Sequence, residues 1–68
     1  MAKMTLGEKI RYHRTKLNLT QAELGEMTGI STTSIAGYEM EKREPKFFTA
    51  ICLADALGVS LNYLAGKE

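Results

Sequence analysis

Apolar residues along this chain recur at three- and four-residue intervals, and no stretch alternates apolar with polar as a half-buried strand would. Leu6, Ile10 and Leu17 share one face of a first helix while Lys9, Arg11 and Lys16 point elsewhere, and that helix is expected to end before Asn18. A second runs from about Gln21 to Thr28, where Gly29 is a natural C-terminal stop. The third spans about Thr32 to Met40, with Ile35 and Tyr38 on its buried side and Thr32, Thr33, Ala36 and Gly37 facing outward. Phe47, Ala50, Ile51, Ala54 and Leu57 form one stripe of a fourth helix over about Lys46 to Leu57, closed by Gly58. Ser60 then opens a last short helical turn containing Leu61 and Leu64.

Polar residues at the starts of these segments support the boundaries. Thr5 with Glu8, and Thr20 with Glu23, are each spaced as a capping box, in which hydroxyl and carboxylate satisfy amides that a helix start leaves unpaired; Ser31 can cap the third helix. Eight residues are marginal as an isolated helix, so the second must be held by packing. Its internal Gly25 costs about 0.5 to 1 kcal/mol relative to alanine, which is tolerable where another helix approaches, and the third helix is the expected neighbour. Charged residues and Pro45 make 41–45 a loop.

Length changes the picture little: 68 residues make one domain, 1–68, whose core must be compact and locally connected. Hydrophobic residues at 44% and charged residues at 25% exclude a disordered chain. Lone Cys52 cannot form an internal disulfide, no apolar run approaches the roughly 20 residues that cross a membrane, and no secretory signal is visible, so a cytoplasmic location is expected. Net charge is only +1, but its distribution is uneven. Residues 1–19 carry +4 and 42–46 carry +2, whereas 20–41, with Glu23, Glu26, Glu39 and Glu41 and no base, carry −4.

The segments LGEKIRYHRTKLNLTQAEL (6–24), GIST (29–32), SIAGYE (34–39), KREP (42–45) and LADALGVSLNYL (53–64), in this order and spacing, resemble the phage-repressor and Cro type of helix-turn-helix regulator, the XRE family. The resemblance covers nearly the whole chain. It implies an all-α, five-helix lambda-repressor-like domain, with the helix-turn-helix unit at about 21–40 and the third helix lying in the DNA major groove. It further implies a small, buried pair at Gly25 and Gly29, anchors at Leu24, Ile30, Ile35 and Tyr38, and a structural ion pair between Arg14 and Glu39. Where the family often carries a long polar reader this chain has Gly37, and where it commonly turns through Asn-Gly this chain has Met40-Glu41, without the glycine that tolerates positive φ.

A unit without lysine or arginine can still meet DNA, because phosphate binding and base reading fall to different groups. Small hydroxyls hydrogen-bond to base edges and a threonine methyl meets the thymine methyl, so Ser31, Thr32 and Thr33, with the adjoining Ala36 and Gly37, are the candidate base-reading surface. Phosphates fall to Thr20, Gln21 and Ser34, to amides at the start of the second helix, and to Lys42 and Arg43. The expected function is that of a sequence-specific double-stranded DNA-binding regulator, a repressor working as a homodimer on half-sites about 10 base pairs apart.

Other residues receive plainer readings. His13 is assigned to the surface of the first helix, and Tyr38, Phe47 and Tyr63 to the core or its edge. With one cysteine, one histidine and no cluster at ligand spacing, neither metal, cofactor nor catalytic dyad is expected, and the chain is not read as an enzyme. Phe48 and Cys52 sit four apart on the outward side of the fourth helix and, with Leu61 and Leu64 of the last one, form a candidate dimer or protein-partner face. That face, the acidic segment, Gly37 and Glu41 support the rival function: a protein-interaction module, adaptor or antitoxin-like, on the same fold with weak DNA binding or none.

Overall fold

The computed structural model describes residues 3–67 and arranges them as five α-helices: α1 (Leu6–Lys16), α2 (Gln21–Thr28), α3 (Thr32–Glu39), α4 (Phe47–Leu57) and α5 (Leu61–Leu64). No strand occurs among the described residues. Both capping boxes form. Thr5 and Thr20 accept from the amides of Glu8 and Glu23, whose carboxylates accept in return from the amides of Thr5 and Thr20 at 2.8 Å. Ser31 caps α3 through the Ser34 amide and Ser60 caps α5 through that of Tyr63. Gly29 and Gly58 end α2 and α4 in the left-handed conformation, at φ 75° and 73°.

One core joins the helices. Ile10 of α1, Leu24 of α2, Ile35 of α3 and Leu53 of α4 are fully buried, with Tyr38, Ala54, Leu57 and Leu64 around them. Helix α3 rests on both α1 and α2, and α4 contacts α1, α2 and α5. The result is that α3 keeps Ile35 and Tyr38 inside while Thr32 and Thr33 stand exposed on its other side.

Several expectations are corrected here. The buried arc of α4 is rotated toward Leu53 and Leu57, so Phe47, at the arc's edge and in the first turn, is 64% exposed and meets only its neighbour Phe48 edge-on among the aromatic rings. Leu17 is 49% exposed, because α1 stops at Lys16 and Asn18 at φ 59° reverses the chain, so that Leu19 packs on the core in its place. Leu64 is 3% exposed, sealing the core between α4 and α5, and cannot belong to a partner face; Leu61 is half-buried. Phe48 and Cys52 do face outward. Lys9 is not turned away: its ammonium donates to the Tyr63 carbonyl at 2.6 Å and lies over the Tyr63 ring. His13, half-buried, shares a 2.9 Å hydrogen bond with the Tyr63 hydroxyl, so it ties α1 to α5. Gly29 is exposed with open space where a Cβ would stand; it serves the helix end through its φ, and of the expected pair Gly25 alone is buried.

Candidate nucleic-acid interface

The helix-turn-helix geometry turns on Gly25. A Cβ there would stand 2.6 Å from the Ile30 carbonyl, so the turn between α2 and α3 closes against α2 only because no side chain intervenes. Ile30 then packs on the core, and Ser31 starts α3 with its hydroxyl on the Ser34 amide at 3.1 Å. This places Ser31, Thr32 and Thr33 on the surface at the first turn of α3. Ala36 and Gly37, one turn on, are half-buried.

Behind that surface lies the ion pair. Arg14 Nε donates to Glu39 Oε2 at 2.6 Å and Nη2 to Oε1 at 3.0 Å, while Nη1 donates to the Leu19 carbonyl at 2.7 Å. Side-chain exposures of 11% and 4% make this a largely buried, two-pronged pair between α1 and α3. Hydrogen bonding to Glu39 pushes the Arg14 guanidinium above its ordinary pKa; burial works against that, and the attraction of the Glu39 charge adds to it. The Gln21 side-chain amide also donates to Glu39, at 3.1 Å, so this candidate phosphate contact is oriented by the pair. Thr20 beside it is exposed, and the capping box, by taking the Glu23 amide, leaves those of Gln21 and Ala22 without an intrahelical partner.

Past α3 the chain turns through Glu41 at φ 62°, the conformation that the missing glycine of this turn would have favoured. The Glu41 carboxylate compensates: Oε2 accepts from the Thr5 hydroxyl at 2.5 Å and from the Gly7 amide at 2.9 Å. Its charge is thereby committed to the start of α1. The sequence carries no signal for this bond, which spans 34 residues. The next two amides, of Lys42 and Arg43, both donate to the Gly37 carbonyl, at 2.9 and 3.3 Å, so the two loop cations are held against the end of α3. Both side chains are exposed; Arg43 lies along α3 and donates to Ser34 Oγ at 3.2 Å. The DNA-contact candidates thus lie on α2 with its cap, on α3 with its cap and on the loop that follows, whereas Phe48 and Cys52 belong to α4 and Leu61 and Leu64 to α5.

Among the described residues, no group of three or more His, Cys, Asp or Glu side chains could hold a metal ion, and no helix is long and apolar enough to cross a membrane.

Comparison with known proteins supplies the context for this surface. A family model described as helix-turn-helix matches residues 10–64. The chain is 41% identical over 59 residues to repressor protein C2 of Salmonella phage P22, covering 87% of this chain and 27% of that protein. It is 34% identical over 65 residues to the HTH-type transcriptional regulator ImmR of Bacillus subtilis (strain 168), covering 96% and 51%. The chain therefore spans between about a quarter and half the length of these relatives. Among solved structures it is similar to the P22 c2 repressor in complex with a synthetic operator, with a TM-score of 0.91 at 36% identity, covering 97% of this chain and all of that one. The solution structure of the DNA-binding domain of the same repressor gives a TM-score of 0.88 at 38% identity, covering 96% and 86%.

Proposed function

The chain belongs to the helix-turn-helix family, in its phage-repressor (XRE) branch, and on that premise we propose that it is a sequence-specific double-stranded DNA-binding transcriptional regulator, a cytoplasmic repressor that occupies promoter DNA as a homodimer. The observation that carries this reading is the outer side of α3. Three short hydroxyl side chains, Ser31, Thr32 and Thr33, stand exposed at the start of a helix whose inner face is fixed by Ile35, Tyr38 and the Arg14–Glu39 pair, in a chain that matches a repressor solved on its operator.

In the proposed complex α3 enters the major groove. Ser31, Thr32 and Thr33 hydrogen-bond to base edges and the threonine methyls meet thymine methyls, with Ala36 and Gly37 adjoining them one turn on. Thr20, Gln21, Ser34, Lys42, Arg43 and the first amides of α2 meet phosphates, which position the helix without reading sequence. Affinity depends on the loop cations, since the helix pair itself carries no base. It therefore falls steeply with salt, and two protomers on adjacent half-sites make up for the modest binding of one.

A second reading rests on the exposed Phe47 and Phe48, at 64% and 79%, next to exposed Cys52 on α4: a protein-interaction module on this fold. Selection from a pool of random double-stranded DNA decides between the two. An enriched, nearly palindromic site, bound more weakly on Lys42→Ala, establishes the regulator. Absence of enrichment, together with a protein partner lost on Phe48→Ala, establishes the module.

A further inference from the structure

Gly37 lies on the outward side of α3, yet the space a side chain would take there is filled. A Cβ built on Gly37 would stand 2.8 Å from Cδ and 3.0 Å from Cγ of Arg43, both closer than the van der Waals contact of two carbons. The Arg43 stem therefore occupies the position that a residue-37 side chain would hold. Two hydrogen bonds, donated by the Lys42 and Arg43 amides to the Gly37 carbonyl, fix the backbone from which the stem departs. Its far end runs back one helical turn, where Nη1 donates to Ser34 Oγ at 3.2 Å. Ser34 Oγ in turn accepts from Ser31 Oγ at 2.9 Å, so the guanidinium joins a hydroxyl chain leading to the first turn of α3.

We propose that Arg43 is a base-reading residue, delivered from the loop onto the recognition helix through the gap left by Gly37, and that its target is a guanine. This rests on the DNA-binding reading above and moves Arg43 from the phosphate contacts to the specificity contacts. A guanidinium has five N–H donors in a planar fork that matches O6 and N7 of guanine in the major groove, and a single one is used on Ser34. Among the described residues Arg43 has no carboxylate partner to hold it elsewhere. The first turn of a recognition helix is where base edges are met, and the guanidinium is tethered there rather than pointing away from the loop. Gly37 and Arg43 thus form one functional unit in which the long reader comes from six positions downstream.

The test uses the duplex enriched by the wild-type protein and all its single base-pair substitutions, with dissociation constants measured for the wild type, Arg43→Ala, Arg43→Lys and Gly37→Ala. Wild type is expected to discriminate against loss of one G·C pair per half-site by on the order of 10- to 100-fold, the range of a good two-pronged contact. Arg43→Ala abolishes that discrimination and Arg43→Lys, which lacks the planar fork, weakens it, both leaving preferences at the other positions intact. Gly37→Ala, which keeps Arg43 but displaces its stem, does the same at that position alone. The alanine is favoured in a helix and the clash is with a flexible side chain, so folding, checked by thermal melting, is retained. The proposal is overturned if Arg43→Ala weakens all duplexes uniformly and Arg43→Lys restores them, which marks a phosphate contact, or if either variant changes nothing. A wild-type protein that enriches no duplex removes the DNA-binding reading itself, and this inference with it.

Discussion

At the scale of single residues, two glutamates of like charge do opposite-looking jobs for one purpose. Glu39 binds Arg14 and orients Gln21 from inside the molecule, and Glu41 anchors the following turn to Thr5 and Gly7 from outside. Both fix the ends of what α3 presents. Because the Arg14 side chain is only 11% exposed, Glu39→Ala leaves a largely buried charge unpaired and is expected to cost about 3 to 5 kcal/mol, read from chemical or thermal unfolding. A loss below about 1 kcal/mol would show a solvated pair. For Glu41 the expected order is Ala worse than Gln. Alanine keeps the strained φ of 62° and leaves the Gly7 amide without its acceptor, at about 1 to 2 kcal/mol, whereas glutamine retains an acceptor. Equal stabilities of the two variants would show that the carboxylate bonds contribute nothing. The Arg14–Glu39 pair was legible from the family pattern. The Glu41 bonds were not, since nothing local marks an acceptor 34 residues from its donor.

At the scale of elements, caps and stops set helix boundaries reliably because they act within three or four residues. All five helices start where a polar residue or the loop proline prepares them, and α2 ends on its glycine. Which side of a helix is buried is a different matter. In α4 the periodicity of Phe47, Ala50, Ile51, Ala54 and Leu57 is genuine, but Leu53, outside that stripe, is fully buried and Phe47 is not. Leu53→Ala is therefore expected to cost about 2 to 5 kcal/mol, and Phe47→Ala no more than about 0.5 kcal/mol; urea midpoints of the two variants would reverse that order if the stripe read from spacing were correct. Gly25→Ala sets propensity against packing. Alanine should gain up to about 1 kcal/mol in an exposed helix, but a Cβ 2.6 Å from the Ile30 carbonyl forces α2 away from the turn, so a net loss of about 1 to 3 kcal/mol is expected, with weakened DNA binding. A stabilised Gly25→Ala would mean that the turn yields without cost.

For the molecule as a whole, the uneven charge acquires a geometry. The acidic segment 20–41 is spent largely on internal work: Glu23 in a cap, Glu39 in the ion pair, Glu41 in the anchor of the turn. Glu26 remains exposed. The two cations at 42 and 43 are tied against α3 by backbone bonds, so the helix without bases borrows charge from its neighbour loop. Binding to the selected duplex should then follow a linear fall of log affinity with log salt concentration, and Lys42→Ala should reduce the slope by about one per protomer while weakening all sequences alike. A slope unchanged by Lys42→Ala would place that side chain away from phosphate.

From the sequence alone follow the five helices, their limits, the family and the small hydroxyls at the start of α3, because these depend on local capping, on apolar spacing and on segments a few residues long. Only the tertiary structure decided the rotation of α4, the withdrawal of Leu64 into the core, the outward Phe47, the anchoring of Glu41 on α1 and the passage of Arg43 across Gly37. Each of those depends on which element a face meets and on where a flexible side chain comes to rest, and such contacts form between residues that spacing along the chain does not relate.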